Sequence, residues 1–296
     1  MAGSDILGSG GFAVLEREQY APDVFRLAVR APLIPPRARA GQFIIVRVDE
    51  KGERIPLTLM DFSDERGSVD MVFQVVGTTT DKLSRLGVGD CLADVVGPLG
   101  RPTEVEEFGR VACVGGGVGI AALYPIARAM VQAGNDVSVL LGSRDRDHLI
   151  ITGLFEGLDA ELELATDDGS VGAKGFVTEL LSRAAENWKP DRVIAVGPVP
   201  MMRAVSVLTK DRGIPTVVSL NAIMLDGTGM CSTCRVEVGG ETKFSCVDGP
   251  EFDAHQVDFD LLMSRLDTYK DEEKESWDRF SGTAEDYHHP CEQLER

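Results

Sequence analysis

The chain has 296 residues, with 30 Lys and Arg against 48 Asp and Glu, a net charge of −18. Neutralising nucleic-acid phosphates or an anionic membrane surface needs a basic face, so neither partner is expected. Hydrophobic residues at 43% and charged residues at 26% suit a globular chain of about two domains, long enough to fold without disulfide or metal staples.

The first twenty residues lack a basic stretch followed by a long apolar core, so no secretory leader is expected. The longest uncharged run, residues 111–127, contains Pro125 and is short for a membrane span. A cytoplasmic protein follows, whose six cysteines read as thiols or metal ligands rather than disulfides.

In chain order, residues 1–103 carry short strand-like runs at 25–29, 42–48 and 69–76, punctuated by Gly, Pro and Asp. Such texture predicts an antiparallel β-barrel. Residues 54–59 read as an edge strand because they contain Pro56, and Gly77-Thr78-Thr79-Thr80 as a polar turn opening a short helix. From 104 to 222 strands alternate with helices. Strands are expected at 111–114, 137–141, 161–165, 192–196 and 215–220, and helices at 120–133, 178–187 (Thr178 as cap) and 200–210. That alternation predicts a parallel sheet with right-handed crossovers. Residues 223–264 form a Gly- and Cys-rich loop followed by a hairpin turning at Gly239-Gly240. Residues 265–296 are a polar extension, with a solvated helix at 271–280 and a tail containing His288-His289-Pro290-Cys291.

Three motifs carry chemistry. Gly115-Gly116-Gly117-Val118-Gly119 follows the first strand of the α/β region, where glycines let the backbone approach a pyrophosphate at a helix N-terminus. The competing reading is a plain tight turn, since the run is not a G-x-G-x-x-G fingerprint. Gly197-Pro198 ends a later strand, another ligand-binding position in open α/β sheets. Asp226-x4-Cys231-x2-Cys234-x11-Cys246 matches the plant-type [2Fe–2S] spacing with Asp at the first position. A zinc site is the alternative, but no second C-x2-C pair exists. Cys91 and Cys113 read as small buried hydrophobes and Cys291 as a tail thiol. The four histidines read as surface residues, and no acid–base dyad or nucleophilic triad is evident, so no catalytic side chain is assigned.

These motifs resemble the ferredoxin reductase-like superfamily, in the group holding the electron-transfer subunits of dihydroorotate dehydrogenases. The likeness spans residues 10–280. It is strongest at Arg54-Ile55-Pro56-Leu57-Thr58, at the glycine run, and from Asp226 through Cys246 to Phe252. The resemblance implies an FAD-binding barrel (1–103), an NAD(P)-binding α/β domain (104–222), a [2Fe–2S] module (223–264) and the C-terminal extension (265–296). FAD would be held by Arg54, Pro56, Leu57 and Thr58 with Gly77, Thr78 and Thr79. Nicotinamide nucleotide would be held by the glycine run with Gly197, Pro198, Arg144 and Asp168. The cluster would be held by Asp226, Cys231, Cys234 and Cys246. Arg144 and Arg146 suit a 2′-phosphate, whereas Asp145, Asp147, Asp167 and Asp168 oppose one, which favours NAD(H).

The dihydroorotate branch uses four cysteines. Asp226 is instead similar to the branch of NADH-dependent reduced ferredoxin:NADP⁺ oxidoreductase small subunits, to which sulfide dehydrogenase small subunits are related. The implied role is electron transfer between NAD(H), FAD and the cluster. The implied partner is a larger flavin/iron–sulfur subunit that carries out bifurcation and serves ferredoxin indirectly. Electron-transfer subunits of dihydroorotate or sulfide dehydrogenases stay open, as do a redox-silent docking subunit and an independent flavin reductase.

Overall fold

A computed structural model describes residues 11–281. The start of the N-terminal stretch read for a leader, and the His288–Cys291 tail, lie outside the described residues.

The first strands are β1 (Phe12–Ala21), β2 (Val24–Arg30), β3 (Phe43–Arg47), β4 (Arg54–Ser63) and β5 (Ser68–Gln74). Helix α1 (Thr78–Arg85) and strands β6 (Cys91–Leu92) and β7 (Asp94–Leu99) follow. All seven strands join one antiparallel sheet ordered β6-β1-β2-β5-β4-β3-β7, wrapped around Leu27, Ile44, Leu59, Met71 and Phe73. The edge reading of residues 54–59 needs correcting by register. Strand β4 is interior by order, but residues 54–58 pair only with β3, and pairing with β5 starts at Leu59. Pro56, opposite Ile45, therefore lies where one side of the strand is open and no second ladder bond is needed. Cys91 is corrected too: it is disulfide-bonded rather than a free thiol.

The second sheet begins with β8 (Arg110–Gly116), α2 (Gly119–Gln132), β9 (Asp136–Ser143), α3 (Thr152–Glu156), β10 (Glu161–Thr166) and β11 (Ala173–Lys174). It continues with α4 (Val177–Asn187), β12 (Arg192–Val196), α5 (Val199–Lys210) and β13 (Thr216–Ser219). Its strands are parallel, as the alternation predicts. Thr178 is not the cap of α4, because Phe176 occupies that position and makes no side-chain cap bond.

The C-terminal part holds the hairpin β14 (Arg235–Val238) and β15 (Glu241–Phe244), then α6 (Ser245–Asp248), β16 (Glu251–Asp253), α7 (Phe259–Leu266) and α8 (Lys270–Ser281). Gly239 and Gly240 both have positive φ, as a tight two-residue hairpin requires. Strand β16 leaves this module and adds antiparallel to β13, giving the order β11-β10-β9-β8-β12-β13-β16. The cluster region is thereby fastened to the nucleotide sheet. Helix α8 buries no residue, yet Ser276 Oγ lies 3.2 Å from Thr78 Oγ1, and Phe280 packs under Lys82 and Arg85 of α1.

Shared cores join the domains. Val24, Met60 and Val72 of the barrel pack with Ile120, Leu123 and Ile126 of the α/β domain. Each such buried side chain contributes about 1.5–3 kcal/mol. Arg128 of α2 also donates to Asp61 of β4 at 2.8 Å. Among the described residues no helix is long and apolar enough to cross a membrane.

Candidate cofactor sites

In the α/β sheet β9 lies on one side of β8 and β12 on the other. Their carboxyl ends open a crevice at the point where strand order reverses, the usual ligand position in such sheets. The glycine run leaves β8 into this crevice and Gly197-Pro198 leaves β12. A cavity of about 520 Å³ opens there, lined by Gly116, Gly117, Val118, Arg144 and Pro198 among others. The barrel closes it with Val24 and Gln74.

Gly119 serves a different purpose from its neighbours. A Cβ there would lie 2.6 Å from the Val196 carbonyl oxygen and 2.7 Å from Gly197 Cα, so it lets α2 begin against the end of β12. Gly115 is likewise behind the cavity, against Leu123 and Leu141. Asp168 does not line the cavity. It accepts from Ser170 N and Oγ at 2.9 and 2.7 Å, while the neighbouring Asp167 lines the wall. The fit to a dinucleotide rests on this largely apolar crevice, glycine-floored and bordered by one arginine.

The expected FAD residues lie on the open half of β4 and at the start of α1. Arg54 is exposed and sits 3.7 Å from Asp94; Pro56, Leu57 and Thr58 are half-buried. Gly77 precedes α1 as its cap, and Thr80 Oγ1 accepts the N–H groups of Val76 and Gly77 at 2.9 and 3.1 Å. Thr79 is buried, 3.4 Å from Glu53, and Thr78 faces Ser276. An unpaired strand edge next to a helix start offers backbone groups and hydroxyls to an extended ligand such as FAD.

The four expected cluster ligands come together as two pairs. Cys234 and Cys246 are buried, with their sulfurs 3.2 Å apart. Asp226 binds the loop that follows it: Oδ1 accepts the Thr228 N–H at 2.9 Å and Oδ2 the Cys231 N–H at 2.8 Å. The Thr228 N–H first, with Cys231 adding to it, holds Asp226 below the ordinary carboxylate range. Burial, then contact with Cys234, pushes the Cys246 thiol up to about 12. A Cys246 thiol so raised stays protonated until a cation displaces its proton. The hydroxyl of Ser245 beside it is buried without a hydrogen-bond partner. Among the described residues no three His, Cys, Asp or Glu groups converge on a single ion.

Gly227 puts this loop against the barrel. Its φ is +72°, and a Cβ would lie 2.6 Å from Leu99 Cδ1 and 3.0 Å from Ile45 Cγ1. Ile45 is the register partner of Pro56, so the cluster loop abuts the strand next to the expected flavin segment.

Comparison with known proteins fits this geometry. A curated protein of Thermotoga maritima, a homolog of the electron transfer subunit of dihydroorotate dehydrogenase B (NAD⁺), is 48% identical over 92% of this chain and 96% of its own length. The chain belongs to the family of dihydroorotate dehydrogenase B electron-transfer subunits. A member from Desulforamulus reducens is 34% identical over 82% of this chain and 96% of its own length. The iron–sulfur cluster binding domain of dihydroorotate dehydrogenase B matches residues 221–258, and the oxidoreductase NAD-binding domain matches 113–207. A solved structure of NADH-dependent reduced ferredoxin-NADP oxidoreductase, described for flavin-based electron bifurcation, is 46% identical with a TM-score of 0.87. The match covers 95% of this chain and 99% of that one. An Amycolatopsis cytochrome P450 reductase shares the fold at 24% identity, with a TM-score of 0.61 over 69% of this chain and 66% of that one. The chain is thus an oxidoreductase-family subunit with NAD-binding and iron–sulfur domains on the ferredoxin reductase-like fold, which binds FAD.

Reading the sequence missed one polar group in this region. His148, read as a surface residue, is buried and lines the nucleotide cavity. Its partner Asp23 is 125 residues away in the chain, so spacing gave no signal.

Proposed function

We propose that this chain is the electron-transfer subunit of an electron-bifurcating NADH-dependent ferredoxin:NADP⁺ oxidoreductase. It moves electrons between NAD(H), FAD and a [2Fe–2S] cluster, to or from a larger flavin/iron–sulfur subunit. The observation that carries this reading is Asp226, fixed by the Thr228 and Cys231 N–H groups at the first position of the cluster motif. The likeness to the solved bifurcating enzyme at 46% identity supports it.

When bound, flavin supplies the exchange between a hydride pair and single electrons, and the cluster supplies one-electron transfer. The chain's own residues bind, orient and insulate. Gly116, Gly117, Val118, Gly197 and Pro198 would seat the nicotinamide nucleotide. Arg144 would meet its ribose, and Asp167, which lines the same cavity, favours an unphosphorylated 2′-OH. Arg54, Pro56, Leu57, Thr58, Gly77, Thr78 and Thr79 would hold FAD. Asp226 with Cys231, and Cys234 with Cys246, would hold the cluster.

The loop around Cys231 also suits a partner. Leu225 and Met230 are exposed there, Met230 to 86%. Arg235 and Arg265 line a pocket beside them, in a chain of net charge −18. A larger subunit docked on this face would take electrons from the cluster side, and ferredoxin would be reached only through it.

The relatives named for dihydroorotate dehydrogenase B support a second reading, an electron-transfer subunit in dihydroorotate oxidation. Anaerobic purification, visible spectroscopy, and iron and sulfide assays test the first reading. FAD bands with about two iron and two sulfide, bleached by NADH before NADPH, are expected. Flavin without iron would sink the ligand assignment, and neither chromophore would sink the function. Activity reconstituted only with a dihydroorotate-oxidising large subunit would select the second reading.

A further inference from the structure

Where barrel and nucleotide domain meet at the rim of the cavity, four charged side chains form a compact set. Asp23 lies in the turn between β1 and β2, on the barrel. Arg144, Asp145 and His148 follow β9, on the nucleotide domain. Both ring nitrogens of His148 face carboxylates: Nδ1 is 2.6 Å from Asp145 Oδ1, and Nε2 is 2.8 Å from Asp23 Oδ1. Asp145 also accepts the His148 backbone N–H at 3.1 Å. Asp23 Oδ2 accepts from Gln74 Nε2 at 2.7 Å.

A neutral imidazole has one N–H and would turn a lone pair toward one carboxylate. Two carboxylate partners therefore favour the doubly protonated ring. Arg144 opposes this. Its Nε donates to His148 Nδ1 at 3.2 Å and its Nη2 contacts Nε2, while the guanidinium also lies 3.5 Å from Asp23 and 3.4 Å from Asp145, so each ring nitrogen meets one carboxylate and one arginine donor. With the ring protonated the set holds two anions and two cations and is neutral. Burial pushes the His148 pKa down, but the bonds to Asp145 and Asp23 outweigh burial and Arg144 and hold it above the usual histidine value. Of the other charged groups nearby, Arg146 bonds the Ser170 carbonyl at 2.9 Å, Asp147 is exposed, and Asp167 lines the same cavity as Arg144 and His148, with no hydrogen bond or ion pair to His148 among the described residues.

The cavity takes Val24 and Gln74 from the barrel and Arg144 and His148 from the nucleotide domain. Its width thus depends on how the two domains close, and the Asp23–His148 bond spans that seam. We propose that Asp23 and His148 are positioning residues: they clasp barrel to nucleotide domain and so set the distance over which nicotinamide delivers hydride to flavin. This rests on the reading that NADH reduces FAD within this chain. The clasp is closed while His148 carries both ring protons. It weakens as pH rises through the raised histidine pKa, because one carboxylate then loses its donor. Misplacing reacting atoms by about 1 Å can cost on the order of a hundredfold, so a loosened clasp lowers the rate of hydride transfer more than NADH affinity.

The test is anaerobic rapid mixing of the holoprotein with NADH from about pH 5.5 to about 9, following flavin bleaching. His148→Gln and Asp23→Asn each remove the charge pair but keep hydrogen-bonding shape. Each is expected to lower the limiting reduction rate about tenfold at low pH and to erase the fall on the alkaline side. Asp23→Glu should restore part of the rate, and the double variant should be no slower than either single one. FAD and iron content, and reduction by dithionite, should match the wild type. Wild-type limiting rates in the variants, a loss confined to NADH affinity, or an unchanged pH profile would overturn the clasp while leaving the function reading intact. If His148→Gln does not retain FAD, Asp23→Asn and Asp23→Glu decide by the same measures. A wild-type protein that NADH does not bleach would remove both proposals together.

Discussion

Asp226 and Glu251 show how much a single side chain can set. Asp226 both braces the cluster loop and stands in the first ligand position. Asp226→Ala should lower cluster affinity more than about tenfold, read as lost iron and sulfide with FAD retained. Asp226→Cys should keep the iron but change the electron paramagnetic resonance spectrum; full iron in the Ala variant would exclude Asp226 as a ligand. Glu251, the first residue of β16, accepts from Thr103 Oγ1 at 2.6 Å, and burial pushes its pKa up to about 7. The folded state therefore binds this proton more tightly than the unfolded chain does. Its contribution is complete below the ordinary glutamate value of 4.5 and is lost as pH rises through about 7. Glu251→Gln mimics the protonated acid and can keep the Thr103 bond. It should melt like the wild type near about pH 5 and about 2–4 °C higher near about pH 8. Equal melting at both values would place Glu251 outside this linkage. The sequence exposes Asp226, because four ligands at fixed spacing are a local pattern. It hides Glu251, His148 and Asp23, whose environments arise only when segments distant in the chain meet.

Among the elements, those with long apolar periods were legible and those defined by tertiary pairing were not. Strand β8, helix α2 and the hairpin turning at Gly239-Gly240 follow from pattern and turn chemistry. Strand β16 spans only Glu251–Asp253 after Gly249-Pro250, too short for any period, and is a strand because β13 offers it an edge. Strand β4 reads as an edge from Pro56, and only its register shows that half of it is one. Helix α8 was expected to be solvated. Its polar composition does leave it without a buried residue, but Phe280 under Lys82 and Arg85 gives it a foothold on α1. Cation–π contacts at such exposed sites contribute about 0.5–1 kcal/mol. Phe280→Ala should therefore raise amide exchange throughout α8 while moving the global melting temperature by less than about 2 °C. A large drop in melting temperature would mean that α8 belongs to the cooperative core.

At the scale of the whole molecule, the nucleotide cavity and the cluster loop both reach the barrel strands around β4, the first at its β5-paired half and the second at β3 beside its open half. Helix α2 starts at the cavity and packs on β4, and Gly227 brings the cluster loop against Ile45 and Leu99 of the adjoining barrel strands. In the proposed function, hydride would enter from the cavity and electrons would leave through the cluster loop, two places that meet the barrel through different contacts. Gly119 tests this separation because its surroundings are backbone. A Cβ there meets the Val196 carbonyl oxygen at 2.6 Å and Gly197 Cα at 2.7 Å, atoms that no rotamer change can move aside. Gly119→Ala must push the start of α2 away from β12, at a cost of about 1–3 kcal/mol typical of overpacking. That movement spreads the crevice between the two nucleotide loops but does not reach the cluster loop. In rapid mixing the wild-type protein should show flavin bleaching by NADH before the cluster band fades. Gly119→Ala should bleach at least about tenfold more slowly at the same NADH concentration, a loss of about 1.4 kcal/mol or more in binding or transition-state energy. Dithionite should still reduce both chromophores fully. If the variant slowed cluster reduction by dithionite as well, the entry and exit sites would share structure that this arrangement keeps apart.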